Sequence, residues 1–120
     1  MTKRLVSYLR PYRRRWGFTQ PELGYIIAGT KGRTLISRLE NETCQPSLAA
    51  ALALQIVFGT EPAELFPALC AEVKDSVVAR AYETFDKLQG DSSKANKIKL
   101  DFLEEMFARA KRGDNSESQI

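Results

Sequence analysis

The sequence predicts an all-α protein: five short helices over residues 1–69, a helical hairpin over 70–112 and a disordered tail over 113–120. Three observations point there. Apolar residues recur at steps of three and four along nearly the whole chain, the period of a helix face. No stretch alternates apolar and polar residues as a half-buried strand would. Glycine, proline and serine fall between the periodic segments, where helices start and stop.

Helix 1 is expected from about Lys3 to Arg15, with Leu5, Leu9 and Tyr12 or Trp16 on one side. Pro11 within that span removes an internal hydrogen bond, so it should kink or divide the helix. Gly17 ends it. In "FTQPEL", Thr19 is the N-cap of helix 2, Pro21 lies in the first turn and Glu22 completes a capping box. Leu23, Ile26 and Ile27 should point inward, and "AGTKG" is a turn. Helix 3 runs from around Gly32 to Asn41. At about 100° per residue, Gly32, Leu35, Ile36 and Leu39 share its inner side. Arg33, Thr34, Ser37, Arg38 and Asn41 share its outer side. "NETCQP" is a loop, and Ser47 caps helix 4, "LAAALALQIVF". That helix is apolar almost all round, which predicts a central, buried position. Gly59 ends it; Thr60 as cap and Pro62 in the first turn open helix 5.

Beyond Pro67, Cys70, Val73, Val77, Ala81, Phe85 and Leu88 form one stripe. "GDSS" breaks the pattern, and Ser93 caps a further helix. There Ala95, Ile98, Phe102, Met106 and Ala110 form the stripe, widened by Leu103 and Phe107. Two amphipathic helices with a short link make an αα-hairpin.

Composition narrows the function. Apolar residues make up 43% of the 120, enough for a core. No apolar run approaches the ~18–20 residues that span a bilayer, so no membrane association is expected and a cytoplasmic location is. Histidine is absent, and Cys44 and Cys70 alone cannot complete a usual zinc site. Both cysteines read as small, mostly buried side chains. Without histidine there is no nucleophile–base pair. "GTKGRT" lacks the spacing and the preceding strand of a phosphate-binding loop. Neither an enzyme nor a cofactor is expected. The net charge of +3 is uneven: nine lysines and arginines face three acids up to Pro46, and nine face twelve after it. A basic front predicts a polyanionic partner for that half.

Two short helices joined by a glycine-bearing turn, the second polar outside, are the minimum of a helix-turn-helix. The segment "FTQPELGYII…TLISRLENETCQPSLAAALALQIVFGTEPAELF" resembles the lambda-repressor-like, Cro-type (XRE family) helix-turn-helix domain. The shared features are the TQxxL helix opening, the I-S-R-L-E end of helix 3, the Pro-Ser loop cap and the G-x-x-x-x-E-L-F close. They cover about residues 5–69 and leave the hairpin outside. Between Thr19 and Glu40 this chain is slightly longer than the family's spacing, the extra residues falling in "IIAGTKG".

The major groove admits one α-helix and shows each base pair as a distinct set of donors and acceptors. Arg33 and Arg38 carry planar forks that fit guanine O6 and N7. Thr34 and Ser37 are short enough to let the backbone approach. The resemblance implies base-reading positions at Arg33, Thr34 and Arg38; Ser37 shares their face. Gln20, at the start of helix 2, suits a phosphate contact. Asn41 and Thr43 match backbone-contact positions of the family, while Arg14, Arg15 and Lys31 add general attraction. The resemblance also implies a structural ion pair between Arg13 and Glu40. Trp16 and Phe18 are expected to pack into the core rather than to stack on bases.

The expected function is therefore sequence-specific binding of double-stranded DNA by a transcriptional regulator, a repressor acting as a homodimer on a palindromic operator. The hairpin is its candidate dimer contact, with packing on its own domain as the competing role. The alternative is an antitoxin-like module whose residues 70–112 bind a partner protein.

Overall fold

The computed structural model describes residues 7–118, without the side chains of Lys31 and of 114–118. It is all-helical, with no strand among the described residues. The helices are α1 (Leu9–Arg15), α2 (Gln20–Ala28), α3 (Gly32–Glu40), α4 (Leu48–Phe58), α5 (Pro62–Leu65), α6 (Pro67–Leu88) and α7 (Lys94–Ser118), with a 3₁₀ turn at Gly29–Lys31. The chain divides into two compact units, Met1–Glu72 and Val73–Ile120.

In the first unit α1 starts at Leu9; the expected helical segment before Ser7, with Leu5, lies outside the described residues. The later start removes the difficulty with Pro11. It falls in the first turn, where its missing N–H would have had no intrahelical partner, and the helix runs unbroken. The Tyr8 N–H donates to the Leu65 carbonyl at 2.8 Å, tying the beginning of this unit to the end of α5. Leu9, Leu23, Ile36, Leu39, Leu54, Leu65 and Phe66 form the core, with Tyr12, Phe18, Ile27, Leu35, Cys44, Val57, Phe58 and Leu69 packed around it. Each fully buried aliphatic side chain contributes about 1.5–3 kcal/mol.

Further expectations about this unit are corrected. Helix α4 is not a central buried helix. Ala50 and Leu54 are buried, but Leu48, Leu52 and Ile56 are 75%, 50% and 83% exposed. A unit this small has one core, and a helix can present only one face to it. On α2, Ile26 is exposed; Leu23 and Gly24 take the buried positions. The cap of α5 is Glu61 rather than Thr60. Pro62 occupies the first helical position and holds the preceding residue extended, which makes that residue the cap. The Glu61 N–H donates to Glu64 Oε1 at 3.2 Å.

The second unit is an antiparallel pair formed by the rest of α6 and by α7. Tyr82 and Phe107 stack with ring centres 4.0 Å apart, Phe85 meets Phe107 edge-on at 5.8 Å, and Lys74 Nζ donates to the Ala110 carbonyl at 2.9 Å. Ser93 caps α7, its Oγ accepting from Asn96 N–H at 3.2 Å. The facing stripes are rotated from those expected. Val78, Ala81, Phe85 and Leu88 on α6 and Leu100, Leu103, Phe107 and Ala110 on α7 are half-buried. Val73 and Val77 are exposed, as are Ile98 and Phe102, which are 63% and 59% accessible. No described side chain after Phe66 is fully buried. The expected disordered tail from Arg112–Gly113 onward is helical as far as Ser118. Extending an existing helix costs far less than nucleating one, and a single glycine costs only about 1 kcal/mol.

Candidate nucleic-acid interface

The local chemistry of α2 fixes where α3 begins. Thr19 Oγ1 accepts from Glu22 N–H at 3.2 Å, and Glu22 Oε1 accepts from Thr19 N–H at 2.9 Å, a reciprocal capping box. Gly29 leaves α2 with φ +71°, a conformation that favours glycine, and the 3₁₀ turn redirects the chain into α3. The two helices then cross backbone to backbone. A Cβ on Gly24 would overlap Gly32 and Arg33 main-chain atoms, and one on Gly32 would overlap Gly24. This contact sets the depth at which α3 is held.

With its inner side occupied by Gly32, Ile36 and Leu39, α3 turns the opposite side outward. Arg33, Thr34 and Arg38 are exposed together, Ser37 is partly exposed, and Asn41 is exposed just past the last turn. The helix ends in a Schellman arrangement: Glu42 N–H donates to Leu39 O at 3.4 Å and Thr43 N–H to Arg38 O at 3.0 Å. The left-handed residue at its centre is Glu42, φ +65°, where glycine is usual. Thr43 Oγ1 also donates to the Arg38 carbonyl, at 3.3 Å. Its hydroxyl therefore serves the helix end in the free protein.

Beneath this end of α3 lies a buried carboxylate. Arg13 donates twice to Glu40, Nε to Oε2 at 2.5 Å and Nη2 to Oε1 at 3.1 Å, and both residues are buried. Arg13 Nη1 donates to the Phe18 carbonyl at 2.8 Å, so one guanidinium ties the α1–α2 turn to α3. Glu40 Oε1 also accepts from Gln20 Nε2 at 3.0 Å and from Arg10 Nε at 3.3 Å. Burial alone would push the Glu40 carboxyl up. Hydrogen bonds from Arg13, Gln20 and Arg10 and the Arg13 charge outweigh it and hold the carboxyl below its ordinary value. Donating to Glu40 raises the Arg13 guanidinium against its own desolvation.

Gln20 thus differs from its expected outward role: in the free protein its amide nitrogen turns in to Glu40. The local reason is that Glu40 is a charged acceptor within reach, and a bond to a charged group is stronger than one to water-exposed partners. Arg14 and Arg15 are exposed as expected, and Lys31 has its side chain outside the described residues. Phe18 packs against the core. Trp16 does not; it is 63% exposed at the end of α1, with the Arg15 guanidinium 5.6 Å from its ring centre. The helix ends before Trp16 can turn inward, and the cation's contact with its face replaces core packing.

Sequence reasoning missed two residues. Arg10 bridges Glu40 and Asn41, its Nη2 donating to Asn41 Oδ1 at 3.2 Å. Its signal was the three-residue step from Arg13, which puts both on one face of α1. Gly24 was overlooked as well, although a glycine inside a helix commonly marks a close approach. Among the described residues no cluster of acidic or cysteine side chains could hold a metal ion, and no helix is long and apolar enough to cross a membrane. No protein-family profile, curated protein sequence or solved structure matches this chain.

Proposed function

We propose that the protein is a sequence-specific double-stranded DNA-binding transcriptional regulator, a repressor acting in the cytoplasm, with α1–α5 as a lambda-repressor-like domain and α3 as its reader helix. One observation carries the reading: Arg33, Thr34 and Arg38 stand exposed together, with Ser37 partly exposed beside them, on a helix whose other side is fixed by the Gly24–Gly32 crossing and the Glu40 ion pair. The two guanidinium forks suit guanine edges, and the short side chains between them let the helix backbone approach the groove. Arg14 and Arg15 add attraction for the phosphates, and the exposed Asn41 and Thr43 flank the reading face.

One short helix reads few bases, so the active form is a homodimer on a palindrome, with half-sites roughly 34 Å apart. The α6–α7 pair supplies the dimer contact. Among its described residues it buries no side chain fully by itself, and Thr84, Leu88, Ile98, Lys99, Phe102 and Leu103 line a mostly apolar groove of about 410 Å³ on it. A second copy would close that face as a four-helix bundle. The same exposed apolar face supports the alternative of a partner protein on residues 70–112. Light scattering separates them: a monomer excludes the homodimer and leaves the partner reading.

Selection of bound duplexes from a random pool tests the proposal, with a palindromic consensus expected. Arg38→Ala should weaken that site by about 1–3 kcal/mol and relax one base position, whereas Arg15→Ala should weaken all sequences alike and flatten the salt dependence. Failure to enrich any sequence refutes the proposal.

A further inference from the structure

Helix α4 is apolar on both sides, and the first unit covers only one of them. Its 11 residues hold no charged side chain, and Gln55 is the only polar one. Ala50 and Leu54 pack inward, while Leu48, Leu52 and Ile56 are 75%, 50% and 83% exposed. Steps of four make these three one ridge along the outer side. Single exposed apolar residues need no explanation, but a continuous row on an uncharged face marks a contact surface. Next to the ridge runs a second row of the same spacing, Ala49 and Ala53, the first exposed and the second partly so. The outer side of α4 therefore sets a raised row beside a low one.

We propose that α4 is a contact between two copies of this chain, each seating its Leu48–Leu52–Ile56 ridge along the other's Ala49–Ala53 row. Turned through a two-fold axis, the raised row of one helix meets the low row of the other, the ridges-into-grooves packing that crosses two helices at about −50°. The absence of charge favours this occupant. A charged partner would give up its hydration against a face that offers no counter-charge, whereas a second α4 brings none to desolvate. Size sets the strength. Burying an aliphatic side chain removes roughly 60–120 Å² from water, so at these exposures the ridge buries about 130–250 Å² per copy, against about 800 Å² in a stable complex. The contact is weak, and its role is to join copies already held near one another. It is separate from the α6–α7 pairing and does not rest on the DNA-binding reading.

The test uses the full chain without DNA. Equal amounts of ¹³C-methyl-labelled and unlabelled protein are mixed at about 1 mM, and isotope-filtered NMR reads contacts between copies. Cross-peaks are expected from the Leu52 and Ile56 methyl groups of one copy to the Ala49 and Ala53 methyl groups of the other. On dilution, the α4 methyl resonances should shift with a dissociation constant in the high micromolar to millimolar range. Leu52→Glu and Leu52→Lys should each remove the cross-peaks and weaken association about ten-fold or more. Leu52 is exposed, so the unfolding midpoint of both variants should hold, which separates loss of contact from loss of fold. A two-fold contact brings the middle of one ridge near the middle of the other. Mixing the two variants should therefore restore association to within about three-fold of the original. The cross-peaks should also survive Ile98→Glu in the hairpin. Their absence in the original protein overturns the proposal, as does finding α4 methyl contacts only within one chain, which would mean that the ridge is covered in cis. Their loss with Ile98→Glu assigns the association to the hairpin, and a Glu–Lys mixture that stays apart means that the ridge does not meet itself; either result overturns the proposal.

Discussion

Glu40→Gln perturbs the ion pair on which the orientation of α3 depends. In the wild type the carboxylate takes hydrogen bonds from Arg13 Nε and Nη2, Gln20 Nε2 and Arg10 Nε, and its side chain is fully inaccessible. Glutamine keeps the shape but removes the charge and turns an amide N–H₂ toward a donor-only guanidinium. Arg13 is then a buried cation without compensation, which costs about 3–5 kcal/mol. For a domain whose whole stability is about 5–15 kcal/mol, that lowers the melting temperature by on the order of 12 °C or more. The sign of the pH dependence follows from the lowered Glu40 carboxyl. Its contribution is complete above the ordinary carboxylate range and is lost as pH falls through the lower folded value. The gap between wild type and Glu40→Gln should therefore be widest near about pH 7 and narrow below about pH 4. The assay is urea unfolding followed by Trp16, the only tryptophan, which reports on the first unit. A loss under about 1 kcal/mol, or a gap equally wide in acid, would refute the reasoning, since either would mean the pair contributes little beyond a solvated surface bridge.

Further outcomes follow from the backbone. Gly24→Ala places a methyl group into the main chain of Gly32. It should cost about 1–3 kcal/mol or more by calorimetry, and it should weaken binding at every position of the selected site, because α3 as a whole shifts. Glu42→Gly relieves a left-handed conformation and should stabilise by about 1 kcal/mol in the same urea assay. Leu54→Ala opens a cavity in the core of the first unit and should cost about 2–5 kcal/mol.

Local chemistry was the most legible part of the sequence. Thr19, Ser47 and Ser93 act as N-caps because a hydroxyl next to unpaired N–H groups needs nothing from the rest of the fold. The outward face of α3 was legible for a similar reason: helical spacing alone separates Arg33, Thr34 and Arg38 from Ile36 and Leu39. The Arg13–Glu40 pair came from a family resemblance, and the geometry has the two side chains in contact. What remained hidden depended on partners distant in sequence. Arg10 looks like any solvated arginine until Glu40 and Asn41 are placed beside it. Gln20 has an ordinary helix-start position, and only Glu40 turns it inward. Helix α4 has no charged residue, so nothing in its sequence marks which side meets solvent. The crossing of Gly24 and Gly32 is a relation between two backbones; the glycine inside α2 hints at a close approach, but its sequence does not say to which helix.

The hydrogen bond from Tyr8 N–H to the Leu65 carbonyl has a consequence for connectivity. It makes the start of α1 and the end of α5 neighbours, so the path through α1 to α5 is nearly a ring whose opening falls beside α1. A short linker from residue 66 back to residue 7, with new termini cut at the exposed Gln45, should keep the contacts among α1 to α5 and lose the packing of Leu69 on the core. The sequential order of its helices would change while their neighbours stayed the same. The adjacency also means that flanking domains fused before Ser7 and after Phe66 would leave from the same edge, a constraint on any tandem arrangement of such units.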